Sequence, residues 1–279
     1  MVVHLPQNNK EFLYFTFFWL GGVFTLIYEC YFILWSYHSK WNSTVVILNA
    51  MAFYLAFIIY SCMYKMISTD IAFKPQADNS GVKRFPLEGW KYCEICQNDA
   101  PPRSHHCKIC NECILKRDHH CWFSGYCVGF HNHRYFICLV LHASVAGLIA
   151  NVYNWEYVMA VKGGFTWTTL PSLLGPHVGL VFGYYTTQEF IITVITSVGF
   201  MFTLLFVSLL VLHIRQMVQG QVQFEMKKGI TLYSMGFNNS VVEIFGSAGL
   251  WALLCPFVKS TLPGDGTWFL LRDEEKKIL

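Results

Sequence analysis

The sequence predicts an all-α polytopic membrane protein, with four transmembrane helices and a cytosolic, cysteine-rich block between the second and the third. Three observations predict it: an apolar composition, four long apolar runs, and a lopsided placement of basic residues. Of 279 residues, 54% are hydrophobic and 13% charged, too apolar for an ordinary soluble domain. Stretches 12–37, 44–67, 135–159 and 190–213 each reach the roughly 20 apolar residues that cross a bilayer. With four spans, loops 38–43 and 160–189 share one side and hold only Lys40 and Lys162 of the 20 basic residues. The excess of lysine and arginine on the other side places both termini and the block in the cytosol.

The elements follow in order. Residues 1–69 hold the first two spans, and Lys10 and Glu11 precede a run too long for the core of a cleavable signal peptide. Residues 70–134 form the cysteine-rich domain, 135–214 the third and fourth spans with their loop, and 215–279 a cytosolic tail. A fifth stretch, 165–185, is broken by Pro171, Gly175, Pro176 and Gly179 and reads as interfacial or re-entrant. As a full span it would strand Lys227, Lys228, Lys276 and Lys277 outside. Glu29 and Glu156 fall near the lumenal ends of their spans. Snorkelling to the interface explains them, with a functional polar site as the alternative. The net charge of +3 is modest; membrane lipid is the expected partner, and nucleic acid is not.

Seven of the 11 cysteines lie between Cys93 and Cys127 at C-x2-C spacings. In a reducing cytosol that spacing suits metal binding better than disulfides. In order the candidates are Cys93, Cys96, His105, His106, Cys107, Cys110, Cys113, His119, His120, Cys121 and Cys127. Two structural zinc ions with four ligands each would leave three of these groups over. Cys121 stands apart, with His119 two residues before it and Asp118 three before. A thiol attacks as its thiolate, an imidazole can take the proton, and an aspartate can fix the imidazole tautomer. Spacing alone leaves open whether the three converge.

The run Cys93-x2-Cys96, "PPRSHHC", Cys107-x2-Cys110-x2-Cys113, "DHHC", Cys127 and "VGFHNHRYF" resembles the DHHC cysteine-rich domain of protein S-palmitoyltransferases over residues 93–136. The resemblance implies transfer of a long acyl chain from acyl-CoA, as co-substrate, to a catalytic cysteine. From there it passes to a cysteine of a client protein at the cytosolic face. By position it implies one zinc on Cys93, Cys96, His106 and Cys113, and a second on Cys107, Cys110, His120 and Cys127. It makes Asp118, His119 and Cys121 catalytic and sets Arg103 and His105 near the CoA headgroup. Lys108, Lys116, Arg117 and Arg134 are further candidates for the CoA phosphates, or for anionic lipid. Ala146, among the small residues Ala143, Ser144 and Gly147, falls along the family's acyl tunnel and implies room for at least a palmitoyl chain. Close helix packing is the other reading of those residues.

Several positions depart from the family pattern. Trp122 replaces the usual proline after the reactive cysteine, and Ala100 replaces a basic residue. "TTQE" at 186–189 matches a family motif but falls on the lumenal side, so it reads as chance. The fitting position is "VQFE", Val222 to Glu225, where both threonines are lost. In "MGFNNSVVEIFG", Ser240 stands where asparagine is expected and Asn239 one residue early. "PGDG" at 263–266 narrows the resemblance to one little-characterised mammalian branch of the family. The terminal "KKIL" resembles a dilysine retrieval signal and points to the endoplasmic reticulum or Golgi, with a solvated tail as the alternative. A non-catalytic zinc-stabilised membrane scaffold and a RING-like ligase are the competing functions, and the spare thiol argues for the enzyme.

Overall fold

The computed structural model describes residues 3–37, 42–75, 89–165, 167, 169, 175–183 and 185–272. The "KKIL" ending lies outside them. Four helices are long and apolar enough to cross a membrane: Asn9–Ser36, Ser43–Ser68, His133–Val161 and Thr187–Gln219. They coincide with the four apolar runs, and the last extends beyond its run to carry Arg215 and Gln216. The first comprises α1 (Asn9–Ile27), a π-helical turn (Tyr28–Ile33) and α2 (Leu34–Tyr37). Then come α3 (Ser43–Ser68), α4 (His133–Val161), α5 (Pro176–Val181) and α6 (Thr187–Gln219). In the tail, α7 (Gln223–Lys228) and α8 (Phe237–Phe245) precede a 3-10 stretch (Gly246–Leu253). Within 165–185 the one described helix is α5, six residues long, or about 9 Å, far short of a bilayer.

The "TTQE" sequence has a local task. Thr186 Oγ1 accepts from Glu189 N–H at 3.2 Å, while Glu189 Oε2 accepts from Thr186 N–H at 2.7 Å and from its hydroxyl at 2.8 Å. This reciprocal pair is a capping box, the T-x-x-E signature of a helix start. It satisfies amides that α6 leaves open at its first turn.

The chain divides into two compact units: Met1–Trp19, Tyr60–Leu139 and Val211–Leu279 form one, Leu20–Ile59 and Val140–Leu210 the other. The second unit consists mostly of apolar helix, joined by a few buried polar contacts. A Cβ on Gly147 would lie 2.4 Å from Thr203 Oγ1, so here the small residue serves close helix packing. Asn151 donates to that same hydroxyl at 2.7 Å. Glu29 turns inward and accepts from Asn154 at 2.5 Å, where the sequence suggested snorkelling. It lies within the π-helical turn, a local widening of the helix.

The first unit holds the cysteine-rich domain. Its six strands make three antiparallel hairpins: β1 (Lys91–Cys93) with β2 (Asn98–Ala100), β3 (His105–Cys107) with β4 (Glu112–Ile114), and β5 (His119–Cys121) with β6 (Tyr126–Val128). The strands have three residues each, too few to show period-two alternation in the sequence. Gln97, Asn111 and Gly125 end the three turns, at φ of 54°, 54° and 65°. At Gly125 the absent side chain matters twice over, since a Cβ there would come within 2.7 Å of Pro6. Ile71, Ile114 and Tyr126 pack with Cys107 and Cys127 into a small core. Another cluster joins Ile137, Met217, Ile244, Phe245 and Ala252, docking the tail on the ends of α4 and α6.

Candidate active site

The three hairpins repeat at a spacing of 14 residues, Cys93 to Cys107 to Cys121. Each of the first two turns carries a C-x2-C pair. Within β3–β4 and β5–β6 a histidine faces a cysteine directly: His106 opposite Cys113, His120 opposite Cys127. Residues opposite each other in a ladder point to one face. Each facing pair therefore reaches the C-x2-C of the preceding hairpin, giving the groups Cys93–Cys96–His106–Cys113 and Cys107–Cys110–His120–Cys127. These are the two ligand sets expected by position.

Their geometry fits zinc. Within each group the ligand atoms lie within 4.8 Å of one another. Sulfur–sulfur distances are 3.7 Å for Cys96–Cys113 and for Cys110–Cys127. Tetrahedral Zn–S bonds of about 2.3 Å give sulfur edges of about 3.8 Å, whereas a disulfide needs about 2.05 Å. His106 Nδ1 is 3.2 Å from Cys96 Sγ, and His120 Nδ1 is 3.6, 3.4 and 3.6 Å from the sulfurs of Cys107, Cys110 and Cys127. In both turns the second cysteine's amide donates to the first sulfur, at 3.5 Å.

The third hairpin repeats this turn with one change: Ser124 stands where Cys96 and Cys110 stand, three residues after Cys121. Alternation along β5 then separates two roles. His119 and Cys121 share one face and His120 takes the other, which faces the second cluster. Cys121 is 8% exposed. Its sulfur is hydrogen-bonded by His119 and by the amide of Ser124, whose hydroxyl donates to the Cys121 and Tyr126 carbonyls at 3.2 and 3.1 Å. His119 Nδ1–H donates to Asp118 Oδ2 at 2.7 Å. The other carboxylate oxygen, Oδ1, accepts from the Gln223 amide at 2.9 Å. Gln223 occupies the place of a lost threonine, so a main-chain group that any residue supplies braces Asp118. Phe136 and His213 wall the His119 ring, with centroids 4.8 and 5.8 Å away.

Electrostatics favour an ion pair. Burial opposes the Cys121 thiolate, but the His119 hydrogen bond and charge outweigh it, and the thiol falls below its ordinary pKa. Burial also opposes a charged His119, yet its bonds to Asp118 and Cys121 push it up to about 9. Asp118, although buried, is held well below the usual carboxylate range by His119. The arrangement thus favours imidazolium beside thiolate over the neutral pair.

Arg103, expected near the CoA headgroup, turns inward. Its side chain is 1% exposed and binds inward: Nε and Nη2 to the Glu225 carboxylate at 2.7 and 2.9 Å, Nη1 to Glu243 at 2.7 Å. Nη2 also reaches the Gly220 carbonyl at 3.1 Å, and the guanidinium stacks over Tyr233 and Phe269. With its donors engaged it ties the hairpins to the tail. Lys116 joins the same group through Glu243 at 2.7 Å. Arg117 approaches Cys107 Sγ and Arg134 stacks on Tyr135, while Lys108 is exposed. His105 is half-buried against Phe224, its pKa lowered by burial and by Arg117 and Lys91. Ala146 is half-buried on α4 in the second unit.

Sequence reasoning missed Ser124, Gln223, His213 and Glu11. The 14-residue repeat marks Ser124 as a replaced ligand, a signal present in the sequence. The other three act through tertiary contacts that no local pattern encodes.

A family model described as DHHC palmitoyltransferase matches residues 87–230. The chain is similar to the probable palmitoyltransferase ZDHHC24 of Danio rerio, with 40% identity over 183 residues, 65% of this chain and 62% of that one. It is similar also to the proteins of that name from Rattus norvegicus and Homo sapiens. Each is 37% identical over 185 residues, covering 65% of this chain and 64% of the relative. The matched region thus spans less than two thirds of these relatives' length.

Proposed function

The chain belongs to the DHHC palmitoyltransferase family, and on that premise we propose that it is a protein S-palmitoyltransferase with Cys121 as nucleophile. The observation that carries the proposal is the hydrogen-bonded series Asp118–His119–Cys121, with 2.7 Å between the first two.

In the first half-reaction the Cys121 thiolate attacks the acyl-CoA carbonyl carbon. A new C–S bond forms, the C–S bond to CoA breaks, and the departing CoA thiolate takes its proton from His119. In the second, a client thiol gives its proton to His119 as its sulfur attacks the Cys121 thioester, and Cys121 leaves as thiolate. Each step exchanges one thioester for another, so the sequence is close to balanced and requires no energy source. Asp118 holds the tautomer of the neutral His119 between the two steps and offsets the imidazolium charge before the first and after the second.

Zinc ions held by Cys93, Cys96, His106 and Cys113, and by Cys107, Cys110, His120 and Cys127, would act as structural cross-links in a domain with a small core. We assign His105 to the acyl-CoA headgroup and Ala146 to the acyl chain, both on the family resemblance. The clients are cytosolic-face proteins with accessible cysteines, at an endoplasmic reticulum or Golgi membrane in which both termini of this chain face the cytosol.

The test is acyl-enzyme formation from a clickable palmitoyl-CoA analogue on purified protein, wild type beside Cys121→Ser. A hydroxylamine-labile label absent from the variant is the expected result. A zinc-replete, folded wild type that takes no label would overturn the proposal in favour of a scaffold.

A further inference from the structure

A histidine that binds zinc through Nδ1 leaves its Nε2–H facing away from the metal, and what receives that hydrogen orients the ring. At His120 the receiver is Glu11, 109 residues earlier: Nε2 lies 2.9 Å from Oε1. Glu11 is 0% exposed. Its two oxygens have separate tasks. Oε2 accepts from the Gln7 amide at 3.3 Å, and the Glu11 amide donates to Asn8 Oδ1 at 3.0 Å, which together cap the start of α1. Capping accounts for Oε2 and leaves Oε1 free to meet the imidazole.

A carboxylate buried without a partner costs several kcal/mol, so a merely tolerated Glu11 would turn toward water. The segment around it packs on the third hairpin independently of Glu11. The His4 ring stacks on Tyr126 at 4.0 Å, and Tyr14 meets Trp122 edge-on at 5.7 Å, one partner on β6 and the other in the turn after Cys121. Among the described residues no carboxylate meets His106, so the two clusters differ.

We infer that Glu11 is a positioning residue for the second metal cluster, holding His120 Nδ1 toward Cys107, Cys110 and Cys127 and so fixing the strand that bears Cys121. The inference rests on reading that cluster as a zinc site. It deepens the proposed function by making the first transmembrane segment part of the catalytic hairpin's support.

Zinc content and release into a chromophoric chelator, measured on the purified full-length protein, test it. Two zinc ions per chain in the wild type satisfy the underlying reading, and none would defeat that reading rather than this inference. Glu11→Ala is expected to release one of the two ions about 10- to 100-fold faster, with the other unchanged. Glu11→Gln keeps an acceptor oxygen and is expected to show a smaller acceleration; it carries the test if the alanine variant does not fold. His4→Ala, which loosens the same segment without touching His120, is expected to leave both rates at wild-type values. Wild-type release from folded Glu11 variants overturns the inference. Equal, selective acceleration in His4→Ala also overturns it, because the segment's docking would then be the cause.

Discussion

Burying a thiolate without an opposite charge is costly, and Cys121 meets that requirement through His119 and the Ser124 turn. In the sister turns the same amide-to-sulfur bonds support a C-x2-C pair at a metal cluster. In the third, Ser124 removes the second thiol and leaves Cys121 as the turn's one sulfur, the nucleophile of the proposed reaction. Restoring it should have a visible consequence: Ser124→Cys is expected to make autoacylation sensitive to added zinc at concentrations harmless to wild type. Asp118, His119 and His213 already lie within 4.8 Å of one another, ready to complete such a site. Autoacylation titrated with zinc, beside zinc content per chain, checks this. Asp118→Asn keeps the shape of the group but lets the imidazole tautomer change. By analogy with hydrolytic triads, autoacylation is expected to fall roughly 10²- to 10⁴-fold, measured as single-turnover labelling.

At the scale of elements, the link between α7, α8 and the hairpins is a quartet of the buried Arg103, Lys116 and Glu225 with the partly buried Glu243. Arg103 and Lys116 both have positive φ, 63° and 43°, a strained conformation that persists where surrounding contacts fix it. Removing one partner strands a charge, so Glu225→Ala is expected to destabilise the domain by about 3–5 kcal/mol, read by denaturant unfolding. Glu189→Ala, in the look-alike capping box of α6, should leave autoacylation unchanged.

The quartet also fixes an acid limit. Burial raises the Glu243 pKa, but Lys116 and Arg103 outweigh it and the net shift is downward. A carboxylate with a depressed folded-state pKa adds stability above its unfolded value of about 4.3. That stability is lost as the pH falls through the lower folded value. Melting temperature should therefore drop on acidification below about pH 4.3, and less steeply in Glu243→Gln.

At the scale of the whole molecule, membrane and metal share the stabilising work. The spans need only lipid and a few polar contacts such as Gly147–Thr203, whereas the hairpin domain has too small a core to stand alone. Removing metal with a strong chelator is expected to abolish autoacylation and open residues 89–132 to limited proteolysis, while the spans stay protected in detergent. Ala146→Phe is expected to shift acyl-CoA preference toward shorter chains in a competition assay.

The spans, their number and the two zinc-type ligand sets were legible in the sequence, because apolar length and C-x2-C spacing are local, one-dimensional signals. The Asp118–His119–Cys121 trio was legible as candidates, but its convergence was not: only the structure makes residues 119–121 a strand, with His119 and Cys121 on one face and His120 on the other. The inward pairing of Arg103, the amide of Gln223 on Asp118 and the reach of Glu11 to His120 were decided only by the tertiary structure. Each pairs groups more than 100 residues apart in the chain. A buried charge takes whichever partner the fold brings within hydrogen-bonding distance, and sequence spacing holds no record of that distance.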